Sequence, residues 1–149
     1  MKAIRIHEYG GPEVLLYEDA PRPEPSDDQV LIRVHAAALN PVDWKTREGH
    51  GVAGQPGTSL PYIIGWDVSG VIEQVGRSVT QYKAGDEVYG MVNFPAEGGA
   101  YAEYVVCSQY DIAPKPKTLT HIEASAVPLV GLTIWQSLIK VVDLQQGQV

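Results

Sequence analysis

The chain has 149 residues, with 18 Asp and Glu against 11 Lys and Arg, a net charge of −7 and a single cysteine. Such a length suits one domain with a real core; the acidic excess disfavours a phosphate backbone as partner, and one thiol excludes an internal disulfide or a site built on several thiolates. The longest apolar stretch, 124–139, is broken by Ser125, Pro128, Gly131 and Gln136 and is too short to span a bilayer, and no apolar run follows the basic start as in a secretory leader. The reading is a cytoplasmic protein with neither nucleic acid nor membrane as partner.

In chain order the pattern gives strands first and helices last. Residues 2–7 and 14–18 are short apolar runs joined by the hairpin-like punctuation Tyr9-Gly10-Gly11-Pro12. Pro21-Arg22-Pro23-Glu24-Pro25 must be extended and delivers the chain to residues 29–37, where Val30, Ile32, Val34 and Ala36 share one strand face at period two. Asn40 followed by Pro41 predicts a helix start, an N-cap with proline at the first helical position, and Gly49 predicts its stop. The stretch 49–61, rich in glycine and proline with few apolar anchors, is expected to be a mobile loop at the rim of a cleft.

Residues 68–75 are β-branched and apolar enough for a strand, with Gly70 as a bulge or close-approach point and Gly76 as the break. The turn Lys83-Ala84-Gly85-Asp86 feeds a short strand over 87–89, and residues 100–106 form a last long strand. The period then changes. Thr120 and Glu123 make a capping box that opens a short helix, Pro128 interrupts it, and residues 131–142 supply a second helix with Leu132, Trp135, Leu138, Ile139 and Val142 on one stripe. After a turn, Val149 looks like the first residue of another strand.

Four patterns recur together: Met1-Lys2-Ala3-Ile4 with Tyr9-Gly10-Gly11-Pro12-Glu13-Val14; Leu39-Asn40-Pro41-Val42-Asp43; Gly98-Gly99-Ala100-Tyr101-Ala102-Glu103-Tyr104; and Pro128-Leu129-Val130-Gly131-Leu132-Thr133. In this order and spacing the chain resembles the catalytic domain of medium-chain dehydrogenases/reductases, closest to the zinc-free, zeta-crystallin-like quinone oxidoreductases. The resemblance implies a mainly β, α+β fold with short helices. That fold is a GroES-like, partly open β-barrel over residues 1–127, followed at 128–149 by the helix that connects to a Rossmann domain absent from this sequence. Zinc-dependent members usually carry Gly-His-Glu where this chain has Gly65-Trp66-Asp67, a cysteine at Asn40, another near Leu129, and a four-cysteine lobe with no counterpart here. Tryptophan cannot ligate zinc, and all these positions differ together, so the resemblance implies no metal.

Implied with it is hydride transfer from NADPH to a quinone or α,β-unsaturated carbonyl. NADPH would be bound mainly by the absent domain, since no glycine-rich dinucleotide fingerprint is present. The 149-residue chain alone is therefore expected neither to bind NADPH usefully nor to reduce quinones. Asn40 is by spacing an N-cap, and by resemblance a catalytic and cofactor-binding residue beside the nicotinamide. Asp43 is by position a dipole-favouring carboxylate, and by resemblance a support of the cleft loop near the cofactor. Lys45, where many quinone oxidoreductases carry tyrosine, reads either as a solvated lysine or as a cation near the cofactor and proton donor to the reduced substrate. Thr133 reads as a hydroxyl bonded one turn back, and by resemblance as a nicotinamide contact.

Trp66 and Asp67 hold the lost ligand positions and, with Phe94, are candidates for the substrate pocket, although the plainer reading of Trp66 is a packing plug and of Phe94 an exposed loop aromatic. His7, His35, His50, His121 and Cys107 show no ligand or nucleophile spacing. The expected partners are a small quinone or enone and further copies of the chain in a homo-oligomer. Two other classes remain: a non-enzymatic GroES-like oligomerisation module, and a crystallin-like structural or RNA-binding role that the net charge disfavours.

Overall fold

The computed structural model describes residues 1–55 and 59–148. Strand β1 (Lys2–Ile6) pairs antiparallel with β2 (Leu16–Asp19) in the register Lys2 to Asp19 and Arg5 to Leu16. Pro12–Val14 forms a single 3₁₀ turn between them, which moves Val14 out of the strand predicted to begin there. The other edge of β1 holds β4 (Tyr62–Ile63), completing a three-stranded sheet.

A second sheet is built on β3 (Gln29–Ala37) and β5 (Asp67–Val75), with β6 (Glu87–Met91), β7 (Tyr104–Ser108) and β8 (Ile112–Pro114) in the order β7-β3-β5-β6-β8, all antiparallel. Its register slips between Val34 and Ala36, opposite Gly70 and Ser69. A Cβ on Gly70 would lie 2.2 Å from the Arg33 carbonyl oxygen, so the predicted close approach is real and only hydrogen fits there. The predicted strand over 100–106 starts later, at Tyr104, because Gly99 to Tyr101 bond across to the 63–65 segment instead. The two sheets do not close into a barrel, and with three short helices they make a mainly β architecture.

Two cores result. Val30, Ile32, Val68, Ile72, Val88, Val92, Val105 and Cys107 fill the first, on the five-stranded sheet. Ile6, Val52, Tyr62, Ile64 and Trp66 fill the second, with Val42 and Leu60 packed against it. Val52 and Leu60 are thus anchors, and the front of the 49–61 stretch is fastened by turns Ala53 N–H to His50 O and Gln55 N–H to Val52 O. The expectation of mobility there falls in part on residues 56–58, and that of a strand start on Val149, both outside the described residues.

Helix α1 (Pro41–Arg47) begins as predicted, with Asn40 extended at the N-cap. It ends in a Schellman motif, Gly49 N–H to Thr46 O and His50 N–H to Lys45 O, with Gly49 at φ 85°. The capping box at α2 (His121–Ser125) is present, Thr120 and Glu123 each accepting the other's backbone N–H. Helix α3 (Pro128–Ile134) starts three residues before the predicted 131, since Pro128 occupies its first turn, and continues without a break as a π-helical segment over Trp135–Val141. The stripe Leu132, Trp135, Leu138, Ile139 and Val142 is solvent-facing. Among the described residues no helix is long and apolar enough to cross a membrane.

Candidate active site

Strand β5 enters the molecule at Asp67, whose side chain is fully buried. Asn40 at the head of α1 donates its side-chain amide to Asp67 Oδ2 at 3.0 Å. The backbone N–H of Leu129, in the first turn of α3, is shared between both Asp67 oxygens at 3.1 Å each. Burial raises the Asp67 pKa, and the bonds from Asn40 and Leu129 oppose that shift.

A second buried carboxylate lies one turn away. Asp43 Oδ2 accepts the backbone N–H of Asn40, and Asp43 Oδ1 is buried without a well-formed bond. The Tyr101 ring lies against Gly65, whose φ of 94° and bare Cα admit it; a Cβ there would sit 2.4 Å from Tyr101 Cδ1. The hydroxyl of Tyr101 faces Asp43, near enough to influence it and short of a complete hydrogen bond. Desolvation pushes Asp43 up to about 6, with backbone and tyrosine contacts pulling it down and Asp67 adding repulsion.

Around this buried pair the side chains are open. Lys45 is exposed, its amine 5.5 Å from the ring centroid of Trp44, which is itself partly exposed, as is Leu39. Thr133, exposed on α3, donates its hydroxyl to Leu129 O at 2.8 Å, the bond one turn back that the sequence predicts. A cleft of about 450 Å³ opens between β6, β8 and α3, lined in part by Met91, Tyr110, Pro128 and Leu132.

Three of the positions where zinc-dependent relatives are expected to hold metal, those of Asn40, Asp67 and Leu129, therefore meet in space. What meets is one carboxylate and two N–H donors. Such a set organises around an anion, and it does not fit zinc, which needs thiolate, imidazole or carboxylate lone pairs from several sides. Among the described residues no three His, Cys, Asp or Glu side chains gather as a metal site would.

Residues 26–117 match the alcohol dehydrogenase GroES-like domain family. The chain belongs to that family. Among its relatives, the mouse protein named quinone oxidoreductase is 38% identical over 149 residues, 99% of this chain and 43% of the relative. An Arabidopsis thaliana protein named NADPH-dependent alkenal/one oxidoreductase, chloroplastic, is 41% identical over 146 residues, 94% of this chain and 37% of the relative. The solved structure of the quinone oxidoreductase from Coxiella burnetii superposes with a TM-score of 0.92 at 42% identity, covering 99% of this chain and 46% of that one. The chain thus spans less than half the length of these family members.

Within this GroES-like domain, Asn40, Asp43 and Asp67 form one connected cluster, and Thr133 joins it through the backbone of Leu129, whose N–H bonds to Asp67 and whose carbonyl accepts from Thr133. Lys45 stands on the same short helix with its amine outward. Trp66 and Asp67, expected as pocket walls, are both 0% exposed. The indole N–H of Trp66 goes to Ala96 O at 2.9 Å, and its ring packs in the second core rather than plugging the 40/67/129 cluster. Phe94, half exposed, meets Trp66 edge-on at 6.2 Å and is the one member of that trio with surface to offer. Sequence reasoning missed Tyr101 and Trp44. Tyr101 stood inside a quoted motif, yet no spacing rule relates it to Asp43; for Trp44 the signal was an aromatic four residues after an N-cap asparagine.

Proposed function

We propose that the protein to which this chain belongs transfers hydride from NADPH to a quinone or an α,β-unsaturated carbonyl without a metal, residues 1–127 forming its catalytic domain and 128–149 the connection to a dinucleotide-binding domain. The observation that carries this reading is the cluster at the former ligand positions, built on the Asp67 carboxylate and N–H donors. The relatives' names support the substrate class and the cofactor. A cytoplasmic, homo-oligomeric protein is part of the same proposal.

The residues present fit the nicotinamide end of NADPH: a half-buried amide at Asn40, an exposed hydroxyl at Thr133 and an exposed amine at Lys45, on the helices α1 and α3 that the Asp67 carboxylate links. Bound there, NADPH supplies the hydride. Asn40 and Thr133 orient the ring, with Asp43 holding the Asn40 backbone in place. Phe94 offers an apolar wall to the acceptor. Lys45 gives a proton to the substrate oxygen as electrons arrive, its cationic form favouring the developing enolate or hydroquinone anion. A conjugated acceptor takes electrons readily and needs no Lewis acid on its oxygen, whereas abstracting hydride from a simple alcohol normally does.

The test is a steady-state assay of the intact gene product with NADPH, a small quinone and a linear enone, with and without a strong chelator, paired with elemental analysis. Turnover indifferent to chelator and far less than one zinc per chain is the expected result. Stoichiometric zinc, or oxidation of simple alcohols lost on chelation, defeats the proposal.

A further inference from the structure

Helix α3 opens without a local cap. Its N-cap residue is Val127, which has no side-chain acceptor, and Pro128 at the first position carries no N–H. The Leu129 N–H is the first donor of this helix that needs a partner. It finds Asp67, 62 residues earlier in the chain. The same carboxylate takes the Asn40 amide at the head of α1, and the Leu129 carbonyl takes the Thr133 hydroxyl. A path of hydrogen bonds joined by the covalent backbone of Leu129 therefore runs from Asn40 through Asp67 to Thr133, and the two ends of the path are the groups given to the nicotinamide above. Asp67 itself reaches no solvent.

The geometry points to Asp67 as a positioning residue that sets Asn40 and Thr133 at a fixed separation by serving at once as the partner of the α1 N-cap and as the long-range cap of α3. This inference rests on the functional reading for what Asn40 and Thr133 touch, though not for the coupling itself. A metal at this place would bind its ligands as a cation; here a buried anion does the organising. Its strength comes from low surrounding dielectric and from donors aimed at it from two helices. The helix so anchored is the one that carries Thr133, so a loosened anchor changes the spacing between the two cofactor contacts and leaves the individual residues intact.

Two variants grade the effect. Asp67→Asn leaves one carbonyl oxygen where the carboxylate has two, and sets its own N–H₂ against the donors it replaces. Asp67→Leu offers no acceptor. Hydrogen exchange on the Leu129 amide and the Asn40 side-chain protons reports the anchor directly, with the Ala124 amide, bonded to Thr120 O in α2, as the control for general destabilisation. Relative to that control, Leu129 exchange is expected to speed up by about tenfold in Asp67→Asn and more in Asp67→Leu, with kcat of the intact gene product falling by about tenfold or more in the same order and the NADPH KM moving less. If Asp67→Leu does not fold, Asp67→Asn with its internal control decides alone.

Leu129 exchange that rises no more than Ala124 exchange overturns the inference. So does a loosened Leu129 with unchanged kcat, which reduces Asp67 to a helix cap. Should the unsubstituted protein show no NADPH oxidation with any acceptor, it is the functional reading that has failed; the exchange of Leu129 and Asn40 in the variants then upholds or overturns the coupling on its own.

Discussion

The Tyr101 hydroxyl faces the Asp43 carboxylate inside the domain, and neither Tyr101 OH nor Asp43 Oδ1 completes a hydrogen bond. Burial raises both groups, Asp43 to about 6. A carboxylate raised in the folded state stabilises the fold fully below its unfolded pKa, and that contribution is lost as pH rises through the folded value. Unfolding free energy from urea melts is therefore expected to fall between pH 4 and pH 7.5 by about 1–3 kcal/mol on account of Asp43 alone. In Asp43→Asn that part of the slope disappears, leaving what Asp67 and Glu97, also raised by burial, contribute. An unchanged slope in the variant rules the assignment out.

Gly98 and Gly99 are adjacent, and substitution at each should fail for a different reason. A Cβ on Gly98 would lie 1.9 Å from the Gly65 carbonyl oxygen, whereas one on Gly99 meets nothing nearer than 3.3 Å but would have to sit at φ 83°. Gly98→Ala is expected to cost about 3 kcal/mol or more, because backbone must move, and Gly99→Ala about 1–2 kcal/mol from the left-handed conformation. Equal costs in thermal melts would show that the 98/65 contact yields easily.

His121 ties α2 to the main sheet. Its Nδ1 lies 2.8 Å from the buried Ser69 Oγ, its ring centroid lies 4.5 Å from that of His35 with the planes tilted by 40°, and Nε2 is 3.4 Å from Glu87, which Lys115 also approaches at 3.3 Å. Burial first and His35 second lower its pKa, Glu87 opposing and Lys115 assisting. With a depressed folded pKa the contribution is present above pH 6.5 and lost as pH falls through the lower value. Exchange protection at Ala124, corrected for intrinsic rates, should drop below pH 6 in the parent and not in His121→Phe. The same drop in both would move the cause elsewhere.

Leu132, Trp135, Leu138, Ile139 and Val142 leave apolar surface on the helix that follows Val127. A 149-residue protein of this sequence is expected to self-associate through that face. Sedimentation velocity at increasing concentration should show the association, and Trp135→Glu with Leu138→Glu should abolish it. A parent that stays monomeric at high concentration contradicts this.

Most of the fold was legible where local chemistry is decisive. The N-cap at Asn40, the stop at Gly49, the Thr120/Glu123 box and the close approach at Gly70 all follow from one or two residues and hold in space. The misses are where long-range pairing decides. Val14 entered a turn because β2 registers against β1 from Leu16 onward, and β4 and β8 are too short to carry a period. The site was legible residue by residue and not as an arrangement. Resemblance placed Asn40, Asp67 and Leu129 at former ligand positions, but that an anion now binds the other two depends on side-chain directions that spacing does not reveal. Trp66 and Asp67 were named for the pocket because they hold lost ligand positions; in space Trp66 packs in the second core and Asp67 is buried among its hydrogen bonds, directions that spacing does not give.

Cys107, the chain's one cysteine, is buried. Quinones and enones are electrophiles that alkylate accessible thiolates, so a catalyst handling them is exposed to covalent damage by its own substrates. The chain's single thiol is sealed in the first core with no exposed surface, and burial holds its proton on well above the usual thiol range. An electrophile in the cleft, whose lining offers as sulfur only the weakly nucleophilic thioether of Met91, meets neither a reachable thiol nor a thiolate. With its one thiol buried in this way, the domain is spared the alkylation that such reagents inflict on an open cysteine.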